Sequence, residues 1–271
     1  MLKKVLKHDM RAMLRSTVPM FIVMGVVSVV CCVILYFTYN FETEVESMIA
    51  AVLLVGGFLV MGIFAIAAMM VVVSVLTYVR YYKSLFTDEG YLTMVLPMET
   101  TTLLHAKLLF ALIWGAIGAA ATFTGLFVAL ILPTLLYDKE VLTGTIEVIR
   151  SLFSLFTGEP YMSAILPLQI VALFVRSVES VFLTVASITV GAAVMKRRKI
   201  LGAILFYFGG TFIRENVVSI FEIIIDAILV ETAGNLGIII AGIFGIVIST
   251  AIILASYFTC RHILNKKFNI E

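Results

Sequence analysis

The chain has 271 residues, 62% of them hydrophobic and only 13% charged, with a mean hydropathy of +1.14. That composition excludes an ordinary soluble domain, in which about 25% of residues are charged. The formal net charge of +2 is nearly silent; where the charges sit is informative.

Residues 18–39, 47–79 and 108–137 carry no charged side chain. A hydrocarbon layer ~30 Å thick is crossed by about 20 apolar residues in a helix. Lipid offers backbone amides no partner, so only helices or closed barrels cross it, and the alternation of barrel strands is missing. The sequence predicts an all-α membrane protein with one transmembrane domain over residues 1–271. Its six spans fall at 18–37, 48–79, 103–132, 164–195, 200–230 and 236–258.

Residues 1–16 read as an interfacial amphipathic helix. Leu2, Val5, Leu6, Met10, Met13 and Leu14 recur at three- and four-residue spacing, with Lys3, Lys4, Lys7 and Arg11 between them; an anionic inner leaflet suits that pattern. The apolar run that follows exceeds a signal-peptide core and lacks a small-residue cleavage site, so it reads as a mature span. Cys31, Cys32 and Cys260 show neither disulfide nor metal spacing and read as packed thiols.

Aromatic residues mark the membrane boundaries: Tyr36, Phe37, Tyr39 and Phe41 after the first span, Tyr78, Tyr81 and Tyr82 after the second, Tyr257 and Phe258 after the sixth. The second span would rise ~48 Å as a straight helix. Its excess is expected to project inward and meet another protein. In the loop that follows, Asp88 and Glu89 favour the start of a short helix. Leu92, Val95 and Leu96 line one face, Pro97 stops it and Thr100 to Thr102 can cap the next span.

Small residues recur every fourth position on the third span (Ala111, Gly115, Ala119) and on the sixth (Ala233, Gly237, Ala241, Gly245, Ser249). Such rows let helices approach closely in lipid. Gly209 and Gly210 are a possible bend in the over-long fifth span. Arg176 and Glu179 interrupt the fourth span, and Arg214 and Glu215 the fifth. Each costs about 2.5–3.5 kcal/mol at mid-membrane on insertion scales. Counted from the connection between the two spans, all four share a level. Arg176 and Glu179 can pair at i,i+3, and pairs across the helices are equally open. The cluster is either a polar patch on a translocation route or an ion-paired structural clasp. The outer segment 134–163 has apolar residues at helical spacing over 141–156, without an assignable role.

Fifteen of the 19 Lys and Arg residues flank the ends that an even number of crossings returns to one side. The other side holds Lys139 and Arg150 among eight acidic residues. The asymmetry predicts cytoplasmic termini. No phosphate-binding loop, metalloprotease motif or nucleophile elbow occurs, and the three histidines do not converge by spacing. No catalytic site, metal site or nucleic-acid partner is expected.

Asp88-Glu89-Gly90-Tyr91-Leu92-Thr93 followed by Leu96-Pro97, preceded by Tyr81-Tyr82-Lys83-Ser84-Leu85-Phe86, resembles the first cytoplasmic loop of bacterial ATP-binding-cassette (ABC) permeases of the type-2 exporter superfamily. The C-terminal Ile263-Leu264-Asn265-Lys266-Lys267-Phe268-Asn269-Ile270-Glu271 is similar to their short basic tails, with Phe268 and Ile270 where Leu is common. The resemblance implies a permease of the bacterial cytoplasmic membrane, paired with a second permease chain as a homo- or heterodimer. ATP and magnesium would bind a separate ATPase subunit, leaving this chain without cofactor or enzymatic activity. Asp88, Glu89, Gly90, Tyr91, Leu92, Val95 and Leu96 would form the coupling contact. Two other readings stand beside it: a non-transporting membrane anchor or peptide-immunity protein, and an ion-driven secondary transporter.

Overall fold

A computed structural model describes residues 2–40, 45–87, 99–137, 143, 147, 150–151, 162–195, 197–233 and 235–268. Among them every regular element is helical: α1 (Leu2–Asn40), α2 (Val45–Phe86), α3 (Thr100–Leu126), a π-helical turn (Phe127–Ile131), α4 (Leu132–Tyr137), α5 (Met162–Val194), α6 (Lys199–Ala233) and α7 (Asn235–Phe268). Six stretches are long and apolar enough to cross a membrane: Lys3–Phe37, Gly56–Phe86, Thr100–Ile131, Pro167–Val194, Lys199–Phe221 and Ile239–Lys266. Large apolar side chains such as Phe64, Phe123, Phe174 and Phe212 point outward, which lipid tolerates and water does not. The chain is a multi-pass membrane protein, all-helical among the described residues.

The helix boundaries depart from the sequence expectation at the N-terminus. No break separates residues 2–16 from the first span: α1 runs unbroken from Leu2 to Asn40 with Pro19 inside it. Proline removes one amide donor, and the hydroxyls of Ser16 and Thr17 bond back to the Met13 carbonyl at 2.9 and 3.0 Å just before it. α6 runs as one helix through Gly209 and Gly210.

The chain divides into two compact units. One comprises Lys7–Thr77 and Ile113–Ser151. Its α1 buries Met13, Thr17, Met24, Ser28 and Cys31, a stripe at four-, seven-, four- and three-residue steps that lies on one helix face. Met24 and Cys31 pack with Ile66 and Ala129. Close approach falls to glycine: a Cβ on Gly62 would lie 2.2 Å from the Cys31 sulfur, and one on Gly125 would lie 3.0 Å from Ser28 Oγ. Trp114 is fully buried and stacks on Phe21, centroids 6.4 Å apart. After α3 the helix widens, the Leu132 amide bonding to the Phe127 carbonyl. This wider turn directly precedes Pro133, whose ring disfavours an ordinary α-turn.

The other unit comprises Met1–Leu6, Tyr78–Leu112 and Leu152–Glu271. Tyr81, Leu85, Phe86, Leu103, Leu104, Val185, Cys260 and Leu264 form its core. Tyr81, expected as a membrane-boundary anchor, is 0% exposed. Its hydroxyl meets Thr189 Oγ1 at 2.8 Å, and the Cys260 thiol reaches the same oxygen at 3.7 Å. Thr189 donates its own proton to the Val185 carbonyl at 2.8 Å, so Tyr81 and Cys260 are the donors to its two lone pairs. A tyrosine near the end of a span looks the same in sequence whether it faces headgroups or core. The deciding hydroxyl is 108 residues away.

Candidate functional site

The four intramembrane charges lie on α5 and α6 within the second of these units. The two helices form an antiparallel hairpin joined by residues 195–198. Gly191 and Gly202 sit three residues from its connection on either side, Leu183 and Gly210 eleven, Glu179 and Arg214 fifteen. Each pair is in close approach. A Cβ on Gly191 would come within 2.2 Å of the Ala203 backbone nitrogen, and one on Gly202 within 2.8 Å of the Gly191 carbonyl. The backbones touch there, and that contact sets the register of everything above it.

Fifteen residues up, ~22 Å along each helix, the register brings Glu179 to Arg214. Glu179 is 2% exposed. It accepts from Arg214 Nε at 3.0 Å and Nη2 at 3.4 Å, the two-pronged geometry a guanidinium offers a carboxylate. Arg214 Nη1 also donates to the exposed Glu215 carboxylate. One arginine thus holds two carboxylates. The within-helix pair of Arg176 with Glu179 does not form.

Arg176 stands apart. It is exposed and makes no ion pair among the described residues. Its Nη2 lies over α7, where a Cβ on Gly245 would meet it at 3.7 Å. It sits nine residues into Pro167–Val194, ~13 Å from that end. The cluster therefore splits into a satisfied clasp of Glu179, Arg214 and Glu215, and a cation with no ion-pair partner among the described residues.

The small residues of α7 receive α5. Gly237 and Ser249 are buried, Ala241 and Gly245 half-buried, and a Cβ on Gly242 would meet Leu168 at 2.7 Å. The side-chain surroundings of Ala233 lie outside the described residues. On α3, Gly115 is exposed and Ala119 half-buried, while Gly118 packs on Val73, a contact at 3.5 Å for an added Cβ. Gly191 and Gly202 were not singled out from sequence. Their signal was two glycines equally spaced from a basic turn.

Asp88, Glu89, Gly90, Tyr91, Leu92, Val95 and Leu96 lie outside the described residues. The helix ends that flank them are firmly seated: Leu85 and Phe86 share one buried cluster with Leu103 and Leu104, and Thr100 Oγ1 hydrogen-bonds Asn265 Oδ1. Among the described residues no three His, Cys, Asp or Glu side chains converge as metal ligands. Comparison with protein families, curated proteins and solved structures finds no match.

Proposed function

We propose that this chain is the permease subunit of an ATP-driven exporter, paired with a second permease chain and moved by a separate cytoplasmic ATPase. Arg176 carries the reading: an exposed cation well inside an apolar span, without an ion-pair partner among the described residues. Intramembrane charges that serve only architecture are paired, as Glu179 and Arg214 are. A free one belongs on a water-filled or cargo-lined surface. Its role here is to contact an anionic group of the transported molecule.

The energy source rests on residues 88–97 and their likeness to a coupling loop. The seating of both flanking helix ends in one core supports it, because a push on such a loop moves α2 and α3 together. Positive residues on the termini side support an inward-facing loop.

The test is co-purification followed by transport in vesicles. A cytoplasmic subunit bearing a phosphate-binding loop should travel with the chain. Tyr91→Asp with Leu92→Asp should uncouple its ATPase activity from export while the chain still assembles. Export that ignores nucleotide, or survives that double change intact, overturns the proposal.

A further inference from the structure

A second polar feature lies at the α5–α6 connection, away from the charge clasp. Tyr82, Arg197, Arg198, Lys199, Ile200 and Leu201 line a cavity of about 570 Å³. Arg197 and Arg198 are exposed. Lys199 is otherwise engaged: its Nζ donates to the Phe86 carbonyl at 3.3 Å, holding the start of α6 to the last residue of α2. Tyr82 stacks on Phe86, centroids 6.0 Å apart, and forms the wall. The cavity thus has a floor fixed by Lys199 and two exposed guanidinium groups without an ion-pair partner among the described residues.

An apolar track begins at its rim. Leu201, Leu205, Phe208 and Phe212 follow at four-, three- and four-residue steps on α6, all exposed, reaching 70% at Phe212. A basic pocket that opens onto an exposed apolar helix face has the shape of a phospholipid: phosphate at one end, acyl chains along the other.

A second copy of the chain fits less well on this face. A two-fold axis along the membrane normal sets each residue at the depth of its own copy. Pairing through the α6 track would then bring Arg197 and Arg198 toward their own counterparts, like charge against like.

We propose that the cavity formed by Tyr82 and residues 197–201 holds the phosphate of an anionic phospholipid whose acyl chains lie along Leu201, Leu205, Phe208 and Phe212. Arg197 and Arg198 grip the phosphate through charge-assisted hydrogen bonds. Lys199 keeps the pocket in shape through its bond to the Phe86 carbonyl. The site needs no ATPase and no cargo, so it stands or falls separately from the transport proposal.

Native mass spectrometry of the full chain, purified in mixed micelles of phosphatidylglycerol and phosphatidylcholine, tests it. Phosphatidylglycerol should be retained roughly ten-fold over phosphatidylcholine, and Arg197→Gln with Arg198→Gln should remove most of that preference. Arg261→Gln, an exposed cation elsewhere, should leave it unchanged. If the double variant fails to assemble, raising salt on the native chain replaces it: retention of phosphatidylglycerol should fall while that of phosphatidylcholine holds. Equal retention of the two lipids overturns the proposal. Displacement by glycerol 3-phosphate would mean a soluble phosphate ligand, and a dimer broken by Leu205→Ser would mean the track is a subunit interface. Either result also overturns it.

Discussion

Gly191 and Gly202 bring α5 and α6 into backbone contact three residues from their connection, and Glu179 meets Arg214 twelve residues farther along each helix because of it. Gly191→Ala places a methyl against the Ala203 backbone nitrogen, which a side-chain rotation cannot relieve. The hairpin must spread. We expect a loss of about 1–3 kcal/mol, the range for overpacking, and slower pairing of cysteines placed at 183 and 210. Unchanged stability in detergent unfolding would show that the contact is dispensable.

Glu179→Gln leaves Arg214 with only the exposed Glu215. Removing one partner of a buried pair costs about 3–5 kcal/mol, and the remaining carboxylate should hold the loss near the lower end. Glu179→Leu combined with Arg214→Leu and Glu215→Gln should recover most of it, since an apolar replacement is often as stable as the ions it replaces and no carboxylate is then left without Arg214. Thermal unfolding of both variants separates the two costs.

Arg176→Gln is expected to behave differently from either. With no ion pair to a described carboxylate lost, assembly and melting should stay within about 0.5 kcal/mol of the native chain. Cargo selectivity in vesicle transport should shift away from anionic molecules. A collapse in folded yield would make Arg176 part of the architecture.

Thr189→Val removes the acceptor of both Tyr81 and Cys260. A buried hydroxyl without a partner costs about 1–3 kcal/mol. Tyr81→Phe in the same background should restore part of that, because the stranded donor is gone. A double-mutant cycle on thermal stability reads the coupling.

Gly62→Ala drives a methyl into the Cys31 sulfur. The variant should lose about 1–3 kcal/mol, and Cys31→Ala should rescue it by vacating the space. Additive losses would mean the two helices adjust elsewhere.

The charges show how far the residues alone could be read. Counting from the connection fixed the common level of Glu179 and Arg214, since rise per residue is constant. It left open whether Glu179 pairs with Arg176 or with Arg214, because that depends on how α5 is rotated about its axis. Helix rotation is set by which small residues interlock, here Gly191 with Gly202 and Gly242 with Leu168. Tyr81 went the other way: its place near a span end suggested a headgroup anchor, and packing against Thr189 buried it.

The amino-acid sequence determined that this is a multi-pass helical membrane protein, because lipid admits only helices or closed barrels and the long apolar runs, two of them interrupted by charge, are written locally in the chain. Tertiary structure alone decided that Glu179 pairs with Arg214 and not with Arg176, and that Tyr81 is core. Those outcomes turn on which faces meet, and faces are chosen by close packing between residues far apart in the chain.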